Sequence, residues 1–160
     1  MDSRPTADVC DEFESVVQTC SGRFRLYGGR PRFCGQIETV RCLEDNVLVR
    51  TALSQPGGGR VLVIDGGASL RVALVGDVIA GLAAANRWAG VVVNGAVRDV
   101  DALRTVDIGL AALGSNPRRS AKRGAGETGG TVQFGGAVFA PGDTVYVDRD
   151  GIAVVPAGHG

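Results

Sequence analysis

The sequence predicts a single α/β domain, and three observations carry that reading. At 160 residues the chain is near the common domain size and long enough to bury a real core. Apolar residues make up 44% of it, aromatics only 5%, and 25 residues are glycine. That balance describes a core of Val, Ala, Leu and Ile cut by tight turns, which suits mixed α/β structure better than a helical bundle. Short Val- and Ile-rich runs also alternate with segments of helical period, and no repeat or linker divides residues 1–160.

The elements follow in chain order. Thr6 is placed to cap a first helix with Val9, Phe13, Val16 and Val17 on one face. After a Gly- and Arg-rich stretch, Gln36 to Leu43 alternates as a strand. Arg60 to Asp65 reads as a buried strand ended by Gly66-Gly67. Ser69 to Val75 alternates again and is expected to be a strand, which Gly76-Asp77 ends. Asp77 then sits where a helix favours an acid, and IAGLAAANRW from Ile79 has helical character. Trp88, near the end of that helix, reads as a packing residue. Gly90 to Asn94 is the next buried strand, Asp99 to Val106 a short helix, and Asp107 to Leu113 another apolar strand. A polar loop covers Arg118 to Gly130. Short strands close the chain at Val132 to Phe134, Ala137 to Phe139, Asp143 to Val147 and Ile152 to Val155. Pro141-Gly142 and Asp150-Gly151 form turns among them.

Charge and cysteine usage exclude several functions. Acidic and basic residues balance at 17 each, so no global field draws the protein to nucleic acid. Residues Met1 to Ala7 lack an apolar signal core, and no apolar run approaches the ~18 residues of a membrane span. A cytoplasmic protein is expected. The four cysteines (Cys10, Cys20, Cys34 and Cys42) form no C-x-x-C pair, and the one histidine, His159, lies in a Gly-containing tail. Reduced, partly buried thiols are therefore expected rather than a zinc site.

Two strand-to-helix junctions carry the candidate chemistry. At Gly76-Asp77-Val78-Ile79 the free N–H groups of a starting helix can hold a carboxylate or phosphate. At Gly95 to Asp99 a Val-rich strand delivers Arg98 and Asp99 to its carboxyl end, where α/β proteins place ligands. Taken alone, Arg98 and Asp99 also fit a surface ion pair or a helix cap.

The spacing between the junctions is more specific. Twenty residues, Val78 to Val97, separate Asp77 from Arg98, and Asp99 follows directly. This resembles the Asp-x20-Arg-Asp-x2-(Glu/Asp) signature of class II 4-hydroxy-2-oxo-acid aldolases and their RraA-like relatives. The stretches ALVGD, NRWAGVVVNGAVRDVDAL, DIGLAALGSNPR, FGGAVFAPGD and YVDRDGIAVVP match that family as well, across nearly the whole chain. The resemblance implies a swivelling β/β/α fold and a homotrimer with sites at the subunit boundaries. It implies that Gly76, Asp77, Val78 and Ile79 supply backbone donors to a substrate carboxylate, that Arg98 binds substrate, and that Asp99 binds Mg²⁺ or Mn²⁺. Arg98 and Asp99 are thus the expected catalytic pair. The implied activity is a metal-dependent lyase that forms a pyruvate enolate, cleaving 4-hydroxy-4-methyl-2-oxoglutarate or decarboxylating oxaloacetate.

The chain departs from the pattern at one position. The signature asks for Glu or Asp three residues after the metal-binding Asp, and this chain has Ala102. Asp101 is the nearest acid, but on a helix it points about 100° away. The terminal Pro156-Ala-Gly-His-Gly160 also lacks the acid that longer aldolase members place there. Weak metal binding until substrate completes the chelate is the expectation, with cleavage impaired more than decarboxylation.

The same resemblance implies an alternative, because the family is named for members that bind RNase E and inhibit it without catalysis. The basic cluster Arg118, Arg119, Lys122 and Arg123 can serve an acidic partner or stand as a solvated loop. No aromatics interleave it, so direct nucleic-acid contact is not expected. Relatives also carry a quinone methyltransferase label. Here Val61 to Gly67 (VLVIDGG) starts like a nucleotide-binding strand, yet no G-x-G follows it and Ala68-Ser69 lead toward another strand.

Overall fold

The computed structural model describes Met1–His159; Gly160, the last residue of the Gly-containing tail, lies outside the described residues. In chain order the elements are α1 (Thr6–Glu12), β1 (Gln18–Cys20), β2 (Arg25–Leu26), β3 (Phe33–Arg41), α2 (Val47–Leu53), β4 (Val61–Asp65), β5 (Ala73–Val75), α3 (Asp77–Ala85), β6 (Gly90–Val97) and α4 (Val100–Leu103). They continue with β7 (Gly109–Ser115), β8 (Glu127–Thr128), β9 (Val132–Phe134), β10 (Ala137–Phe139), β11 (Thr144–Asp148) and β12 (Gly151–Val155).

The main sheet runs β1-β12-β11-β3-β4-β6-β7-β2, with β5 added beside β6 and β8 beside β3, while β9 and β10 form a separate hairpin. Its middle, β3-β4-β6-β7, is parallel, and its flanks are antiparallel. Parallel strands covered on both faces need apolar residues at every position rather than at alternate ones. β4 and β6 obey this: Leu62, Ile64, Val91 and Val93 pack with the helices, while Val61, Val63 and Val92 pack toward β9 to β12. A third cluster of Val9, Cys34, Tyr146, Ala153 and Val155 seats α1.

Several boundaries differ from the sequence expectation. Ser69 to Val75 is not one strand, because only Ala73–Val75 pairs. Ala68 takes φ 60°, the Arg71 N–H bonds the Ser69 hydroxyl, and Leu70 is left 47% exposed in the resulting turn. Thr6 does not cap α1. Pro5 holds the cap position, and the Thr6 N–H and hydroxyl both donate to the Asp148 carboxylate at 2.8 and 2.7 Å. The short helix expected from Asp99 begins only at Val100. α2 and the short strands β1, β2 and β8 went unread in the sequence.

Other readings held. Trp88 is buried, donating its indole N–H to Gln55 O at 3.0 Å. All four cysteines are free, and burial pushes Cys20 up to about 11 and Cys42 up to about 12. No helix among the described residues is long and apolar enough to cross a membrane.

Candidate functional site

The carboxyl ends of β5 and β6 open into a cleft of about 260 Å³, lined by Gly76, Asp77, Val78, Ile79, Arg98 and Asp99 among others. Every site residue expected from the sequence is therefore in one place. The cause is local: β5 and β6 are parallel neighbours, with Val75 opposite Val97, so the two junctions that follow them lie side by side.

Contacts between the junctions fix their geometry. Asp99 has φ 59° and ψ 42°, a left-handed conformation that Asp tolerates better than most residues. The turn reverses the chain at the end of β6 and brings the Asp99 carboxylate back over α3. There Oδ2 accepts the Asp77 N–H at 3.2 Å. Asp77 Oδ1 accepts the next N–H, that of Val78, at 2.8 Å. Two carboxylates thus occupy the start of α3, where its free N–H groups and dipole favour negative charge. The Arg98 backbone N–H donates to Val75 O at 3.0 Å, tying the second junction to the first. Its guanidinium reaches Pro117 O at 3.5 Å and lies 3.9 Å from Asp99 Oδ2.

The sequence missed the rest of the lining: Asn46 at the cap of α2, Arg50 in its last turn, and Arg119, Ser120 and Lys122 from the basic loop. Four cations (Arg50, Arg98, Arg119 and Lys122) face two carboxylates (Asp77 and Asp99), so a neutral chain carries a cationic cleft. Asn46 is buried and joins the parts, donating to Leu74 O at 3.0 Å and accepting from the Lys122 ammonium. Burial, with Arg98 and Arg50 nearby, pushes the Lys122 ammonium below its ordinary value. The available signals were a helix start at Asp45-Asn46 and four cations grouped after a strand end.

Neither Ala102 nor Asp101 lines the cleft, and Asp101 is exposed on α4. Asp101 does not take the place of the missing acid. Glu127, unassigned in the sequence, lies on β8 and pairs with Arg41 at the end of β3 at 2.5 Å. Among the described residues no group of three or more His, Cys, Asp or Glu side chains is arranged to hold a metal ion. A cation would have Asp99 as its hard oxygen donor and would complete its shell with water and substrate. That sparse arrangement fits Mg²⁺ or Mn²⁺ and does not fit a closed protein cage.

The loop after β4 does not resemble a dinucleotide- or adenosyl-binding turn. Gly66 and Ala68 both donate their N–H to Asn94 O, and the chain runs through a turn into β5 with no helix.

The chain matches the family model RraA-like: Aldolase/RraA over residues 6–154. A solved structure from Geobacillus kaustophilus HTA426, named S-adenosylmethionine: 2-dimethylmenaquinone methyltransferase, is 44% identical, covers 96% of each chain and superposes with a TM-score of 0.94. The RNA-processing inhibitor RraA from Thermus thermophilis is also 44% identical, over 98% of this chain and 94% of that one, with a TM-score of 0.93. An unusual member of the RNase ES inhibitor RraA protein family from Streptomyces coelicolor is 26% identical over 94% of this chain and 79% of its own, with a TM-score of 0.75. The fold expected from the signature is thereby borne out, and the chain belongs to the RraA-like (Aldolase/RraA) family.

Proposed function

We propose that the chain is a divalent-metal-dependent lyase that forms a pyruvate enolate from a small 2-oxo acid. The supporting observation is the convergence of the α3 start, Arg98 and Asp99 on one small cationic cleft. At about 260 Å³ it lies below the ~300–1,000 Å³ usual for larger ligands and suits an acid of a few carbons.

Each group has a role that follows from its chemistry. The N–H groups at the start of α3 bind the substrate carboxylate, which displaces the Asp99 oxygen from the Asp77 N–H while Asp77 stays on the Val78 N–H. Asp99 holds the cation together with water and substrate, and a bound Mg²⁺ or Mn²⁺ supplies Lewis acidity toward the keto oxygen. Arg98, anchored through its backbone and between Asp99 and Pro117 O, is positioned to offset negative charge that develops on the substrate. Oxaloacetate decarboxylation and cleavage of 4-hydroxy-4-methyl-2-oxoglutarate share the enolate, so one cleft can serve both.

A homotrimer belongs to the same proposal. Val78, an exposed apolar residue, lines the cleft, and Leu43 and Leu70 are exposed apolar residues in the loops that follow β3 and β4. Light scattering at three times the chain mass is the expected result.

The test is pyruvate release from oxaloacetate with Mg²⁺, with Mn²⁺ and with excess EDTA, beside Asp99→Ala. Metal-dependent turnover lost in the variant supports the lyase. No turnover above the metal-only blank refutes it and moves a second reading forward: binding and inhibition of an RNase E-type nuclease. That second reading draws on the 44% identity to a protein named as an RNA-processing inhibitor. Inhibition of the nuclease that survives Asp99→Ala would support it.

A further inference from the structure

At the carboxyl ends of β3 and β4 lies a second groove, of about 540 Å³, which shares no lining residue with the cleft. Cys42, Leu43, Asp65, Gly67 and the chain from Ala125 to Glu127 line it. Side chains alternate in direction along a strand, and Leu62 and Ile64 of β4 pack with the helices. Asp65, the next residue, therefore belongs to the opposite register of β4 from Ile64.

Asp65 and Asn94 are register partners on β4 and β6. Asp65 Oδ1 accepts the Asn94 Nδ2–H at 2.9 Å and the Gly67 N–H at 3.0 Å. An amide facing a carboxylate must offer its nitrogen, which leaves Asn94 Oδ1 as a second, outward acceptor. Asn94 is 7% exposed, yet its Oδ1 and Asp65 Oδ2 accept no hydrogen bond from the described residues. Both oxygens keep some contact with solvent, since no fully buried side-chain oxygen among the described residues lacks a partner. Arg41 is engaged by Glu127 at 2.5 Å, so Asp65 leaves the groove with one net negative charge. Leu43, 68% exposed, borders the same turn: a methyl group on Gly67 would lie 3.3 Å from its Cδ1.

Fastening the turn after β4 uses Asp65 Oδ1 alone. The free carboxylate oxygen, the adjacent amide oxygen and the exposed leucine complement a cation that carries N–H donors on a short apolar body. We propose that this groove binds a small organic cation, an alkylammonium or alkylguanidinium, with its N–H groups on Asp65 and Asn94 and its alkyl chain against Leu43. The lyase reading uses none of these residues, so the two stand or fall separately.

Titration with n-butylguanidinium, followed by calorimetry and by backbone amide resonances, tests the site. Saturable binding is expected, with shifts centred on Leu43, Gly66 and Gly67. Asp65→Asn should weaken it by about tenfold or more, the usual worth of a charge-assisted contact. Leu43→Ser, at an exposed position that folding does not need, should weaken it several-fold. Tetramethylammonium has the same charge and no N–H donor, and should bind far more weakly. No saturable binding, equal binding of the two cations, or an affinity unchanged in both variants would overturn the proposal. Shifts centred on Gly76 to Ile79 would place the cation in the cleft and overturn it too. So would a smaller assembly mass for Asp65→Asn in light scattering with no cation bound by the wild type, because a second copy of the chain would then fill the groove.

Discussion

The carboxylate of Asp99 is packed against the α-carbon of Gly76: a methyl group at position 76 would lie 2.6 Å from Asp99 Oδ2. The backbone of Gly76, at φ −122° and ψ −168°, is open to any residue, so only this close approach requires glycine. Gly76→Ala should push Asp99 off the start of α3 while leaving the sheet intact. Turnover of oxaloacetate is expected to fall by about tenfold or more, with a change in stability of about 1 kcal/mol, as sub-ångström misplacement at a reacting centre commonly gives. Unchanged kcat/KM in Gly76→Ala would show that the Asp99 position is immaterial.

Asp99 itself sets function against stability. Its left-handed backbone costs about 1 kcal/mol in a residue with a Cβ, and glycine removes that cost. Asp99→Gly should therefore unfold at higher denaturant than Asp99→Ala, by about 1 kcal/mol. Both should lose metal-dependent turnover. An Asp99→Gly variant less stable than Asp99→Ala would mean that the strain is not real.

How much of this was readable in the sequence depended on the range of the interaction. β4 and β6 declared themselves because both of their faces are buried, which demands unbroken apolar runs. The association of Asp77 with Arg98-Asp99 was legible through the twenty-residue spacing that resembles the family signature. The other wall was hidden. Arg119 and Lys122 reach the cleft only because Asp45, 78 residues before Arg123, holds the loop by its backbone, and backbone hydrogen bonds leave no residue pattern. Ser69 to Val72 failed for the opposite reason: the alternation was present, but the Ala68 turn and the Ser69 hydroxyl removed the strand.

Asp45 should also govern acid stability. Burial works to raise its carboxyl, but the N–H groups of Val47, Arg123, Ala125 and Gly124 outweigh burial and hold it below its ordinary value of 3.8. A carboxyl lowered by folding adds stability above its unfolded value, and that stability is lost as pH falls through the lower folded value. Asp45→Ala strands several backbone donors and should cost about 3 kcal/mol at pH 7. The gap between wild type and variant should narrow below about pH 4. Denaturant titrations at pH 7 and pH 3 measure it, and an equal gap at both would remove Asp45 from the account.

Asp101 provides a control. It is exposed on α4 and outside the cleft, although it is the acid closest in sequence to the expected position 102. Asp101→Ala should leave oxaloacetate turnover within about twofold of wild type, as remote surface substitutions do. A tenfold loss would mean that Asp101 swings in to act for the missing acid.

The two lyase reactions should separate. Cleavage of 4-hydroxy-4-methyl-2-oxoglutarate needs a base for the C4 hydroxyl proton, a contribution worth about 10²–10⁴-fold. Asp77 and Asp99 are the carboxylates lining the cleft. Asp99 is committed to the cation in the proposed reaction, and Asp77 Oδ1 is held by the Val78 N–H. That leaves neither as a dedicated base for that proton, and Ala102 supplies none. Oxaloacetate loses carbon dioxide without any such proton removal and needs only the enolate to be stabilised. With both substrates measured under the same metal, kcat/KM for decarboxylation should exceed that for cleavage by at least about tenfold. Comparable or faster cleavage would place a base in the cleft that these residues do not provide.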